Sequence, residues 1–115
     1  MFLSGTNLIT QSTRIRTLMD SFPNLRNIQT RINIISYQFG EFVKYMTIYA
    51  VAYEDIPEMK AGYEAEAKIC MMNMLLQIDL LCVSLGWDAN RLRDEGFQHL
   101  EDKIIEVNKK GGKII

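Results

Sequence analysis

Apolar side chains recur at alternating spacings of four and three residues through the middle of this chain, over nearly four heptads. Residues at these spacings share one face of an α-helix. The pattern predicts a helix from about Asn24 to Tyr53. Asn24 is its expected N-cap, because an asparagine oxygen can accept from the unpaired N–H groups of a first turn. The stripe consists of Ile28, Ile32, Ile35, Phe39, Phe42, Met46, Tyr49 and Tyr53.

A second long helix is predicted from Tyr63 to Leu85, after a connection at residues 54–58 and a possible interruption at Gly62. Gly86 is expected to end it in the left-handed conformation. This helix carries two apolar faces, which predicts burial against the rest of the chain and against a second subunit. The faces comprise Met71, Leu75, Ile78, Cys82 and Leu85 on one side and Met72, Leu76 and Val83 on the other.

A third helix is predicted from Ala89 to Lys109, capped by Asp88 and interrupted at Gly96, with Leu100, Ile104 and Val107 on its inner face. A short helix is expected at residues 11–19. No segment alternates with the period of a strand. We therefore predict one all-α domain over residues 1–115, a bundle of two long antiparallel helices with shorter N- and C-terminal helices. Residues 1–22 form an N-terminal extension and residues 110–115 a flexible tail.

Composition excludes several classes of function. Thirteen Lys and Arg against fourteen Asp and Glu leave a net charge of -1, so no basic excess points to nucleic acid. His99 is the only histidine, which excludes a His-based triad and a multi-histidine metal site. Cys70 and Cys82 form neither a disulfide framework nor a zinc motif, and with no signal-peptide pattern they favour a cytoplasmic setting.

The most apolar stretch, from Ile69 to Trp87, is a weak candidate for a membrane span because it contains Asn73, Gln77 and Asp79. We expect a helix buried by protein and no membrane. Asp79 is expected to pair with an arginine such as Arg31 or Arg91 across a subunit contact, or to reach the edge of the bundle. Two helices this apolar cannot cover each other completely, so a homodimer or homotetramer is predicted, with the methionine-rich helix at the contact.

Two polar strips interrupt the apolar faces. One holds Tyr37, Gln38, Glu41 and Tyr45, and the other holds Glu66, Cys70, Asn73, Gln77 and Ser84. Facing helices can project carboxylates inward to hold Mg²⁺, which prefers oxygen ligands. The alternative is structural: Glu41 is solvated, and Asn73 and Gln77 satisfy each other or backbone carbonyls.

The segments carrying these strips resemble the motifs of MazG-like nucleotide pyrophosphohydrolases. The segment at residues 37–44, Tyr-Gln-Phe-Gly-Glu-Phe-Val-Lys, is similar to the first motif. Residues 73–78 and 81–88, the latter ending in Leu-Gly-Trp-Asp, are similar to the second motif helix and its turn. Residues 106–110 match the region where family members carry an asparagine followed by basic residues. The resemblance covers residues 24–110.

The resemblance implies Mg²⁺-dependent cleavage of a nucleoside triphosphate to the monophosphate and pyrophosphate. It assigns Glu41 to metal binding and catalysis, and it aligns Asn73 with a metal-binding aspartate. Glu66 is a further candidate metal ligand because of its position on the same face of the helix, not because of the motif. The resemblance also implies that Gln38, Asn73, Gln77, Asn108 and Lys109 bind the nucleotide.

This chain departs from the family at the metal-binding acids. The first glutamate pair falls on Tyr37 and Gln38, and the second motif's acids fall on Cys70 and Asn73, so Glu41 alone keeps its carboxylate. Glu66, one turn before Cys70, can replace one of them in part. Amides carry no charge and a thiol is too soft for Mg²⁺, so a weak Mg²⁺ site is expected. We therefore expect a protein that binds a nucleoside phosphate and hydrolyses it weakly at most, or a catalytically inactive helical oligomerisation or interaction protein.

Overall fold

The computed structural model describes residues 4–51 and 57–111, with side chains from Thr13 to Ala50 and from Pro57 to Gly111. Within these ranges every regular element is a helix, as predicted. The order is α1 (Ser4–Ser21), a 3-10 helix (Pro23–Arg26), α2 (Ile28–Val51), α3 (Pro57–Leu85) and α4 (Ala89–Lys109). The predicted connection at residues 54–56, Tyr53 of the apolar stripe and the tail beyond residue 111 lie outside the described residues.

Helices α2 and α3 form an antiparallel pair. Near one end of the pair, Arg31 Nη1 donates a hydrogen bond of 2.7 Å to Gln77 Oε1. Toward the other end, the rings of Tyr45 and Tyr63 lie 6.2 Å apart. The α3 positions at heptad spacing between these contacts, Ala67, Cys70 and Met74, are buried. They form the seam between the two helices.

The α2 side of this seam is displaced from the predicted apolar stripe. Ile35, Phe42, Met46 and Tyr49 are half-buried, together with polar positions such as Gln38. Ile28, Ile32 and Phe39 are instead 40%, 42% and 57% exposed. The contacts of Arg31 and Tyr45 rotate α2 so that one edge of the stripe packs on α3. The other edge remains open to a further surface.

Helix α2 begins three to four residues later than predicted, because Asn27 caps it and Asn24 does not. Asn27 Oδ1 accepts from the Thr30 N–H at 2.9 Å, and its carbonyl accepts from the Arg31 N–H at 3.1 Å. Pro23 opens the preceding 3-10 helix, in which the carbonyl of Asn24 accepts from the Asn27 N–H. Proline suits such a first position because its φ is preset and its missing N–H needs no partner.

The small core lies where α1 crosses the end of α3. Ile15 and Met19 of α1 pack against Leu80, with Leu25 and Val83 partly buried around them. Met19 is completely buried. Helix α1 is longer than the predicted helix at residues 11–19. Residues 1–22 were expected to be an N-terminal extension, but Ile15 and Met19 of α1 belong to the core.

Helix α3 starts at Pro57 and runs through Gly62 without interruption, six residues earlier than predicted. It ends as predicted at Gly86, which has a φ of 73°. The N–H of Gly86 bonds the carbonyl of Val83, and the N–H of Trp87 bonds that of Cys82, which is a Schellman cap. Asp88 Oδ1 then caps α4 by accepting from the N–H groups of Asn90 and Arg91.

Helix α4 continues through Gly96, where an interruption was predicted, and none of its described side chains is buried. Of its expected inner face, Ile104 and Val107 are half-buried and Leu100 is 51% exposed. Within one chain α4 therefore lacks a surface that covers its apolar face.

Helix α3 is also less covered than predicted. By length and composition it is the one helix among the described residues that could cross a membrane, and 22% of its most apolar window is buried. Met72 is 65% exposed and Leu75 is 51% exposed. Core helices of soluble proteins meet the same criterion, and Asp79 within α3 would be costly in a bilayer. The absence of a membrane partner stays a prediction.

Substitution of Gly86 tests the turn between α3 and α4. Gly86→Ala should lower the free energy of unfolding by about 1 kcal/mol, because a Cβ disfavours the left-handed backbone. Gly96→Ala is the matched control: its Cβ would meet nothing within 4 Å, and alanine should raise the free energy of unfolding by about 0.5–1 kcal/mol. Urea unfolding of both variants measures the difference. Equal effects would contradict the assigned cap.

Candidate functional site

The register of the α2–α3 pair places the two predicted polar strips against each other. Gln38 lies seven residues from both Arg31 and Tyr45, and Cys70 lies seven residues from both Gln77 and Tyr63. Seven residues are about two helical turns. Gln38 therefore lies on the same face of α2 as Arg31 and Tyr45, and Cys70 lies on the same face of α3 as Gln77 and Tyr63. Gln38 and Cys70 therefore lie level at the middle of the seam. These positions correspond to acids of the two MazG-like motifs.

Glu41 lies one turn beyond Gln38, at the edge of the seam. Its side chain is 27% exposed, and Oε2 forms an ion pair of 2.9 Å with Lys44 Nζ. Lys44 also lies over the ring of Tyr45, 4.7 Å from its centre. The hydrogen bond that Lys44 donates to Glu41 is the main cause of a raised pKa of Lys44, and desolvation opposes it. Lys44 therefore keeps a positive charge beside this carboxylate.

Helical periodicity places Glu66 and Asn73 at the same edge of the seam as Glu41. Counting from the observed contacts, Glu41 is level with Ala67, so Glu66 lies within one turn of it along the axis. Asn73 is about two turns farther along. Glu66 is exposed and Asn73 is half-buried. The two acids and the amide thus share one edge at different heights.

The structural alternative supposed that Asn73 and Gln77 of α3 hydrogen-bond to each other or to backbone carbonyls. The two side chains do not pair with each other. Gln77 accepts from Arg31, while Asn73 has no side-chain hydrogen bond to any described residue. Asp79 pairs with an arginine, as expected, but within the chain and with Arg93: Asp79 Oδ1 lies 2.7 Å from Arg93 Nη2. Arg93 is the fifth residue of α4, five positions after the cap Asp88, and the α3–α4 turn brings it back over α3. Arg91 pairs with Glu95 instead.

Asn108 and Lys109 lie at the far end of α4. Both are exposed, and no hydrogen bond or ion pair among the described residues joins either side chain to α2 or α3. The structure of one chain therefore leaves them apart from the strips that contain Gln38 and Glu41.

The donor set at this edge does not fit the Mg²⁺ site that the resemblance implies. Among the described residues, no group of three or more histidine, cysteine, aspartate or glutamate side chains is placed to hold a metal ion. The strips offer two carboxylates, Glu41 and Glu66, of which Glu41 is bound to Lys44. The remaining groups are amides and a thiol, which supply no hard negative oxygen. We derive no metal-dependent step from this set.

No protein-family model, curated protein or solved structure matches this chain. The resemblance to MazG-like proteins therefore rests on the motif residues of the sequence.

Arg31 is the feature of this region that sequence reasoning missed. It is 6% exposed, and it lies on the seam where an apolar side chain is usual. The available signal was its heptad spacing with Gln38 and Tyr45, which already placed it on the polar strip of α2.

Cys82, on the buried side of α3, is expected to be a poor nucleophile. Burial raises the pKa of its thiol, Asp79 raises it further, and Arg93 opposes this. The folded chain therefore holds the thiol proton to a higher pH than the unfolded chain does. The resulting stability is present below the ordinary thiol pKa and is lost as pH rises through the folded-state value.

We expect the free energy of unfolding to fall as pH rises above the ordinary thiol pKa of 9.0, and we expect this fall to be smaller in Cys82→Ala. Urea unfolding at a series of pH values measures how the free energy of unfolding changes with pH. The pKa of Lys44 is also raised, so Lys44→Gln is the control for its contribution. A slope unchanged by removal of Cys82 would contradict the assignment.

Proposed function

We propose that this chain is a MazG-like nucleotide-handling protein, which binds a nucleoside phosphate along the edge of the α2–α3 seam and hydrolyses it weakly at most. The observation that carries this proposal is the register. Arg31–Gln77 and Tyr45–Tyr63 bring Gln38 level with Cys70, and the first motif of the resembled family has to face the second in the same way.

The chemistry of the strip suits binding better than hydrolysis. Amides such as Gln38 and Asn73 donate and accept hydrogen bonds, and Lys44 supplies a positive charge for phosphate. With the family's acids replaced, the edge repels a triphosphate less. Hydrolysis needs a charged clamp on Mg²⁺, and Glu41 with Glu66 supplies at most part of it. Glu41 would then support any residual activity.

Thermal unfolding with nucleotides tests this proposal. A nucleoside triphosphate or monophosphate at about 100 times its dissociation constant should stabilise the chain by about 2.7 kcal/mol, because a ligand of the native state shifts unfolding by mass action. The midpoint should therefore rise by several degrees. No rise with any of the common ribo- and deoxyribonucleotides, with and without Mg²⁺, would overturn nucleotide binding.

Pyrophosphate release separates a binder from a weak hydrolase. Glu41→Gln should abolish any residual release while keeping the nucleotide-dependent rise in midpoint. Glu64→Gln is the matched control, since Glu64 pairs with Lys68 on the other side of α3. Release that is unaffected by Glu41→Gln would remove Glu41 from the chemistry.

A second candidate is a helical oligomerisation or interaction protein, and the exposed apolar surface favours it. The chain exposes 9022 Å², against roughly 6,500 Å² for a compact monomer of its mass. Its radius of gyration is 18.1 Å, against about 13 Å for a compact chain of similar length. A standard interface covers about 800 Å² on each partner. The excess of about 2,500 Å² is about three times that area, which favours either a large dimer interface or the several contacts of a homotetramer.

The side of α3 that faces away from α2 is the contact we expect. Ile69, Met72 and Leu76 are 48%, 65% and 46% exposed there. Wild-type protein at micromolar concentration should scatter light as at least twice 13.3 kDa, and Met72→Glu with Leu76→Glu should yield monomer. His99→Glu adds one negative charge at an exposed position of α4 as the control. A monomeric wild type would overturn self-assembly while leaving nucleotide binding open.

A further inference from the structure

Arg31 is a buried charge that lacks a compensating anion. It is the one charged residue among those described that is buried, at 6% exposure. Its Nη1 donates to the neutral oxygen of Gln77, and its buried Nε has no hydrogen-bond partner. The ion pairs of the described residues include no carboxylate on Arg31. Buried charges in proteins are ordinarily paired, because removing an ion from water is costly.

A cleft of about 650 Å³ adjoins this side chain, where α1, the 3-10 helix and α2 meet. Arg31 itself lines the cleft, together with polar side chains at Ser21, Asn24, Asn27 and Thr30. Hydroxyl and amide groups of this kind can all donate to an anionic oxygen. The cleft therefore combines an uncompensated cation with several neutral donors.

The first turn of α2 adds to the positive potential of the cleft. Asn27 and Thr30 belong to the cap of this helix, and the side chain of Asn27 satisfies the N–H of Thr30. Among the described residues, no hydrogen bond is made by the N–H groups of Ile28 and Gln29. Unpaired N–H groups and the helix dipole favour an anion at such an end. The nearby acid, Asp20, is already paired with Arg26 at 3.1 Å.

We propose that this cleft is a binding site for a phosphate group, with Arg31 as its counter-charge. Nε lies on the edge of a guanidinium that can bind an oxyanion through two parallel hydrogen bonds. Because Nε is buried, phosphate binding requires the guanidinium to turn toward the cleft, where the phosphate supplies the missing acceptor. A tetrahedral phosphate has enough oxygens to use the hydroxyl and amide donors as well.

This site is separate from the edge that contains Glu41. Gln38 lies two turns from Arg31 along α2, about 10 Å by helical rise. The phosphate site does not rest on nucleotide binding at the seam, and either can hold without the other.

The test uses inorganic phosphate as the probe. In buffers of equal ionic strength, phosphate should raise the unfolding midpoint of the wild type above its value in chloride, whereas acetate should not. Arg31→Gln should weaken the phosphate affinity by about tenfold or more, since a hydrogen-bonded charge is lost. Arg14→Gln removes the same charge from an exposed position of α1 and leaves the Arg26–Asp20 pair intact, so it should retain the affinity. Equal loss in both variants, or no response to phosphate, would overturn the site.

A measurement on the wild type keeps the proposal testable if Arg31→Gln does not fold. In a ¹⁵N-resolved titration with phosphate, the amides of Asn27 and Thr30 and the Nε–H of Arg31 should shift together, while the amide of Glu41 should not. Shifts confined to the region of Glu41 would place phosphate at the seam and contradict this site. Hydrogen exchange of the Arg31 Nε–H is also measured as the protein is diluted to monomer. Protection that disappears on dilution would show that an acid of a second copy pairs with Arg31, which would also overturn the proposal.

Discussion

The antiparallel register of α2 and α3 is the constraint on which the rest of the structure depends. It is set near one end by Arg31 with Gln77 and near the other by Tyr45 with Tyr63. A shift of one residue along either helix would rotate its face by about 100°, because an α-helix has 3.6 residues per turn. Ala67, Cys70 and Met74 would then leave the seam. Packing and the placement of the polar strip are thus set together.

A polar seam within an apolar pair of helices has an energetic consequence. Gln38 and Gln77 occupy positions where leucine would contribute more burial, and Arg31 carries a charge into the same seam. Such residues specify one register, because a misaligned pair would leave the guanidinium without Gln77. The same groups give the edge of the seam its capacity for hydrogen bonding. Specificity of packing and a polar binding edge therefore have one source.

Much of the fold follows from local rules in the sequence. The all-α class follows from helical periodicity, and the α3–α4 turn follows from Gly86 and Asp88, whose signals are local. The start of α2 did not follow, because Asn24 and Asn27 are both able caps and Pro23 drew Asn24 into a 3-10 helix. The partner of Asp79 depended on the direction in which α4 leaves that turn, which local patterns do not encode. The burial of Arg31 depended on the rotation of α2, which only the tertiary contacts decide.

The exposed apolar surface and the polar seam constrain each other. Ile32 and Phe39 on α2 and Met72 on α3 lie away from the seam, so a second copy can cover them without displacing the polar strip. Helix α4 carries its apolar side chains, including Leu100, beyond the pair in the same chain. A partner that covers them would also fix the direction of α4 and hence the position of Asn108 and Lys109. Within the described part of a single chain, no hydrogen bond or ion pair joins these two residues to Glu41. A role for them beside Glu41 would therefore need an assembly that brings the end of α4 in one copy to the α2–α3 edge of another.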